Sequence, residues 1–171
     1  MATNLSSLTL AARVQLNALG TVANALSNPN DNLTIDEVLS AAFSLVNQYH
    51  SGRYALTASG GITPSVSLDL AALLNPLGLA CNLATVKAVL IVNRSTAGTP
   101  AVIEVGKGAA TPFVGWFSDA SDAEKIEALG VSFHTALTAG WGTTGANILK
   151  IANLDAADAA TFDIVIVGVS A

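Results

Sequence analysis

Charge is scarce in this chain of 171 residues. Asp, Glu, Lys and Arg together make up 11% of it, against roughly 25% in an ordinary soluble domain. Hydrophobic residues make up 51%, and a monomer rarely exposes an apolar patch beyond a few hundred Å², so part of the apolar surface is expected to be covered by other subunits. The seven basic residues, Arg13, Arg53, Lys87, Arg94, Lys107, Lys125 and Lys150, are spread along a chain of net charge −5. Direct nucleic-acid binding needs a clustered basic face, which excludes it as a main role. Cysteine occurs once, at Cys81. One thiol makes neither an intrachain disulfide nor a cysteine-based metal site, and Cys81 is expected to be buried as a small hydrophobe.

Long apolar runs are also missing. No stretch reaches the ~18 uncharged apolar residues that a membrane helix needs, and the longest strongly apolar run, Ile164–Val169, is strand-sized. The N-terminus has no basic region followed by an apolar stretch and a cleavage site, so no secretory signal is read and synthesis in a cytosol is expected.

Catalytic patterns are equally thin. Only His50 and His134 could serve a serine nucleophile, which also needs a carboxylate beside the imidazole, and no GxSxG elbow occurs. His50 is placed in a Tyr49–Gly52 turn, and His134 on an alternating strand beside Phe133 with an outward or interfacial side chain. Gly106-Lys107-Gly108 follows a strand but lacks the GxxxxGK followed by Ser or Thr of a phosphate loop, so it reads as a hairpin or loop. Asp119, Asp122 and Glu124 offer oxygens of the type calcium prefers, but without EF-hand spacing. A solvated loop, or Ser121 or Asp122 capping a helical turn, is the plainer reading. No metal or cofactor is assigned.

Turning to what is present, the chain separates by composition near His50–Gly52 into an arm, residues 1–52, and a strand-rich domain, residues 53–171. In Ser6–Asn17 the apolar Leu8, Leu10, Ala12, Val14 and Leu16 alternate with Thr9, Ala11, Arg13, Gln15 and Asn17, a period of two that argues a half-buried strand. A helix stripe through Leu5, Leu8, Ala12, Leu16 and Leu19 is the rival. Ser27–Asn32, reading SNPNDN, is a loop. Thr34 and Glu37 then form a capping-box pattern that predicts a short helix to about Gln48.

The domain reads as antiparallel strands. Arg53–Ala58 and Ser65–Leu70 are predicted to pair as a hairpin, and Leu70–Leu79 is a leucine-rich connector broken by Pro76 and Gly78, with room for one helical turn before Asn75. Thr85–Asn93 carries apolar residues on both faces and should lie centrally in a sheet, with Ala101–Val105 as its expected partner. Ile126–Leu137 alternates with a bulge or bend at Gly130, and Ile148–Leu154 and Thr161–Val169 complete the set. Strands spaced by short turn segments without crossover helices argue an all-β antiparallel sandwich.

The segments SGRYALTAS, SLDLAALLNPLG, ATVKAVLIVNRST and GVSFHTALTAGWGTTGANILKIANLDAADAATFDIVIVG follow one another in an order that resembles a group of small bacteriophage virion proteins. In those chains an RxxLxAS-like strand, an LDL segment, a VKAxxIxN strand, a glycine-led strand and a final YDIVIxG-like strand come in the same sequence. The likeness spans about Arg53–Gly168. It implies a jelly-roll-like β-sandwich that assembles into a virus particle as a capsid decoration, cement, fibre or tail-associated subunit. The long aromatic loop around Trp116 and the arm 1–52 depart from the pattern.

Phe113, Trp116 and Phe117, introduced by Pro112 and split by Gly115, form the most informative cluster. They suit an interface anchor or a hydrophobic plug closing one end of the sandwich. Trp141, set in AGWGTTG, is a second interface candidate, suited to stacking on a sugar or to local packing. The expectation is therefore a non-enzymatic virion structural protein, most simply a capsid decoration or cement subunit. It would be assembled in the host cytoplasm, in a homo-oligomer and against other virion proteins such as the major capsid protein, with no membrane partner. A receptor- or carbohydrate-binding module of a tail or fibre is the alternative.

Overall fold

The computed structural model describes residues 8–17, 32–41, 47–58, 63–75, 78, 80–96, 99–107, 110–136 and 138–170, with side chains from Tyr49 onward. The chain divides into two compact units, one of Leu5–Ser44 and one containing Leu45–Ala171. The boundary drawn at residue 52 from composition falls inside a strand that starts at Asn47.

The smaller unit is a two-stranded antiparallel ribbon of β1 (Leu8–Asn17) and β2 (Asn32–Ala41). The period-two reading of Ser6–Asn17 is what forms, and the helix stripe is not. The short helix expected from Thr34 is overturned: Asn32–Ala41 is a strand. The register sets Leu33, Ile35 and Leu39 opposite Leu16, Val14 and Leu10. A local capping signal worth about 1 kcal/mol yields here to cross-strand pairing of a segment carrying β-branched Thr34, Ile35 and Val38. Residues 18–31, with most of the SNPNDN loop, and 42–46 lie outside the described residues.

The larger unit is all-β. Its strands are β3 (Asn47–Leu56), β4 (Ser65–Asp69), β5 (Leu73–Leu74), β6 (Ala80–Cys81), β7 (Leu83–Asn93), β8 (Ile103–Gly106), β9 (Ala123–Ile126), β10 (Val131–Thr135), β11 (Trp141–Gly142), β12 (Ile148–Asn153) and β13 (Ala160–Ser170). One sheet has the order β10-β7-β13-β3, with β11 also on β7; the other is β4-β12-β8-β9; β5 and β6 make a small separate pair. Counting only β3, β4, β7, β8, β9, β10, β12 and β13 as first to eighth, the sheets read 6-3-8-1 and 2-7-4-5. That double wrapping of antiparallel strands is a jelly roll.

β7 lies centrally, as its two apolar faces require, with β13 on one side and β10 on the other. The partner assignments made from sequence change. Arg53–Ala58 and Ser65–Leu70 do not form a hairpin: β3 pairs with β13 and β4 with β12 in the opposite sheet. Ala101–Val105 does not pair with β7; β8 lies between β12 and β9. Ile126–Leu137 is not one bent strand, because Gly130 N–H closes a turn on Glu127 O at 2.8 Å and the chain passes from one sheet to the other. A jelly roll wraps most successive strands into opposite sheets, β8 and β9 being the exception here, so adjacency in sequence is a poor guide to adjacency in the ladder.

The core fills the space between the sheets. Val86, Val89, Ile91, Phe162, Ile164 and Ile166 from one meet Leu68, Ile103, Val105, Leu149 and Ile151 from the other, all buried. Cys81 is buried among them, and burial pushes its thiol pKa up to about 11. Two buried asparagines tie strand ends and connecting loops to this core. Asn93 donates to Ala101 O and Ile126 O, each at 2.9 Å, and accepts from Ser95 N–H. Asn153 donates to Thr57 O and Asp158 O, each at 2.8 Å. A bulge at Val167/Gly168 brings β13 so close to β7 that a Cβ on Gly168 would collide with the main-chain oxygen of Thr85.

Candidate functional site

The loop between β8 and β9 carries the aromatic cluster onto the open side of the sandwich, where β9 ends one sheet and β10 ends the other. Phe113 is anchored first: its N–H donates to Ile148 O at 2.8 Å and its ring is buried in the core. The next turn needs Gly115, whose φ is +34° and whose Cβ position lies 2.5 Å from the Phe113 ring. That turn brings Trp116 over the gap between the edge strands.

Trp116 is the centre of the cluster. His134 lies flat against it, with ring centroids 4.4 Å apart and planes 10° apart. Phe117 is tilted at 4.8 Å, while Trp141 and Phe113 approach edge-on at 5.7 and 6.1 Å. The four aromatic residues singled out from sequence, Phe113, Trp116, Phe117 and Trp141, are therefore brought together.

Sequence reasoning missed the polar hub beneath them. Glu124 Oε2 accepts from Trp116 Nε1–H at 3.2 Å, from Ser132 Oγ–H at 3.0 Å and from His134 Nε2 at 2.8 Å. Glu124 and His134 keep 31% and 29% of their side chains exposed, so the hub is reachable from solvent at one rim. Glu124 shares the inward face of β9 with Ile126, and Ser132 and His134 share the inward face of β10. The outward face of β10 carries Val131 and Phe133 instead, the reverse of a half-buried strand. His134 thus points inward onto Trp116 rather than outward.

The Glu124, Ser132 and His134 side chains have the residue types of a hydrolytic triad, but not its wiring. Ser132 Oγ donates to the carboxylate, not to an imidazole nitrogen, and both Ser132 and His134 converge on one oxygen. A nucleophilic serine needs the imidazole as its base.

The remaining candidates are placed elsewhere. Asp119 Oδ1 accepts from Ser121 N–H and Oγ–H, both at 2.8 Å, which lowers its pKa. Asp122 Oδ2 accepts from Ser118 and Asp119 N–H. These two acids build a surface turn, while Glu124 faces the tryptophan, so the three do not converge. Among the described residues no cluster of three His, Cys, Asp or Glu stands ready to hold a metal. Lys107 N–H bonds Asp122 O at the end of β8, which is the loop role read for it. His50 is not in a turn. It sits buried on β3, donates Nδ1–H to Leu74 O at 2.6 Å and accepts the Tyr54 hydroxyl on Nε2 at 2.9 Å.

On the outer face of the β10-β7-β13-β3 sheet, Asp163 is held by Arg53 at 2.6 Å and Arg94 at 2.8 Å. Hydrogen bonds from Arg53 and then Arg94 hold its carboxyl pKa down, at about 2. A shallow open depression lies beside this pair, over Ser51, Gly52, Ile164 and Val165. No protein-family model matches this chain, and no curated protein matches it.

Proposed function

We propose that this chain is a non-enzymatic structural subunit of a phage particle, most simply a capsid decoration or cement protein that contacts neighbouring capsid subunits and other copies of itself. The observation that carries the reading is the inverted strand β10. It buries Ser132, 5% exposed, and turns Val131, 61% exposed, to the outside. The ladder sets Val131 and Phe133 opposite Val92 and Leu90, and Leu90 opposite Val165. The sheet thus carries an apolar outer strip next to Leu129, 64% exposed. Surface of this kind marks interaction sites, and the low charge of the chain agrees with it.

The cluster around Trp116 serves as a plug that locks the two sheets at their open side.

Carbohydrate recognition is the rival, since jelly rolls also build lectins. Trp116 is poorly suited to it, with four rings already packed on it, so the half-buried Trp141 is the residue to examine. Two measurements on the purified chain separate the readings. Binding to particles or purified capsid subunits, with a blank glycan array, supports the structural subunit. A specific glycan signal that disappears in Trp141→Ala supports recognition and counts against it.

A further inference from the structure

We infer that the outer edge of β3 pairs antiparallel with β3 of a second copy, Ser51 facing Ser51 across a two-fold axis. The inference rests on the assembly reading above and names one surface and one partner for it.

The hydrogen-bond directions set up this edge. Arg94 N–H donates to Thr161 O at 2.7 Å, in line with the β13/β7 register. Main-chain groups alternate in direction along an antiparallel strand, so Phe162, Ile164 and Ile166 turn theirs toward β3. Their partners there are Tyr54, Gly52 and His50. Tyr49, Ser51, Arg53 and Ala55 must then direct their N–H and C=O groups to the other side, where no strand pairs among the described residues.

Free edges are usually blunted by shortness, charge, proline or bulges. Among the described residues, the other three edges of the two sandwich sheets fit that rule: β9 has four residues and lies under the aromatic cluster, and β10 and β4 have five each. β3 has ten residues, no proline or lysine, and a register with β13 free of shifts. Its one charge, Arg53, is bonded to Asp163 through both Nε and Nη2, which draws the guanidinium over the sheet and away from the edge.

The side chains constrain the register. Directly opposed residues share a face of the sheet, so a two-fold axis on this edge must pass through a residue. Placed at Arg53 it would oppose two like charges, which is destabilising. Placed at Ser51 it puts small residues at the crossing and sets each Arg53 opposite Tyr49 of the second copy, so that no like charges meet. Two-fold pairing uses the same surface twice, and this edge complements itself.

Cross-linking of the full-length chain tests this pairing. Opposed Cα atoms in a hydrogen-bonded pair lie about 5.5 Å apart, within disulfide reach. Ser51→Cys is expected to give a disulfide-linked dimer under mild oxidation. Ala55→Cys is not, since its two copies would stand eight positions apart, about 27 Å. Ser51→Pro, which removes an outward N–H and leaves the β13 ladder intact, is expected to weaken association at least tenfold with an unchanged circular dichroism spectrum. An oligomeric Ser51→Cys protein that yields no linked dimer, equal cross-linking through Ala55→Cys, or unweakened association of Ser51→Pro overturns the edge pairing and leaves the assembly reading standing. A wild-type chain that is monomeric at every concentration overturns the edge pairing, and the assembly reading with it when the chain also fails to bind particles or capsid subunits.

Discussion

Glu124 concentrates more bonding on one atom than any other described side chain, and its neighbours lose most if it is removed. Glu124→Ala leaves the Trp116 indole N–H, the Ser132 hydroxyl and His134 without their acceptor. An orphaned, partly buried donor costs about 1–3 kcal/mol. The variant is expected to lose about 2 kcal/mol in denaturant unfolding with an unchanged slope, together with a shift in tryptophan emission. An unaltered midpoint and spectrum would mean that the hub does not hold the plug. Gly168→Ala is expected to cost more than about 2 kcal/mol, because its Cβ would strike the main-chain oxygen of Thr85 and backbone cannot move aside as a flexible side chain can.

Protonation adds a further residue-scale expectation. The Asp163 carboxyl is depressed by its two arginines to about 2, against about 3.9 when unfolded. A depressed acid contributes stability above its unfolded pKa and loses it as pH falls through the folded value. The difference in stability between the wild type and Asp163→Asn should therefore be constant from neutrality to about pH 5 and shrink toward pH 2. The pair lies on an exposed face, so the effect stays below about 1 kcal/mol. A difference that persists unchanged to pH 2 would contradict the pairing. The aromatic half of the site could be read from residue type alone. Its polar half could not: Glu124, Ser132 and His134 meet across two sheets, and no local spacing records that meeting.

Among the elements, strands were easier to foresee than their partners. Alternation of Val66 and Leu68 with Ser67 and Asp69 marked β4, and two apolar faces marked β7 as central, because burial on one or both sides of a pleat writes itself directly into the sequence. Pairing leaves no such trace. The segments expected to make a hairpin joined opposite sheets, and the Gly130 bend was a change of sheet. The capping box at Thr34 shows the converse, a local signal overruled by a cross-strand register. The element boundaries give a sharp prediction. A chain beginning at Leu45 keeps all of β3 and should fold into the sandwich with a cooperative thermal transition. One beginning at Arg53 loses the first six of the ten residues of β3, with His50 and its bond to Leu74, and should fail to fold or melt far lower. Equal stability of the two truncations would contradict the boundary at residues 44 and 45.

At the scale of the molecule, the proposed reading takes the low charge, the apolar outer strip and the unblunted β3 edge as surfaces that other chains complete. Sedimentation or native mass measurement of the full chain over a wide concentration range is the most direct check. A discrete oligomer that persists to dilute protein is expected, and a monomer at all concentrations, with or without capsid subunits present, would contradict the structural-subunit reading.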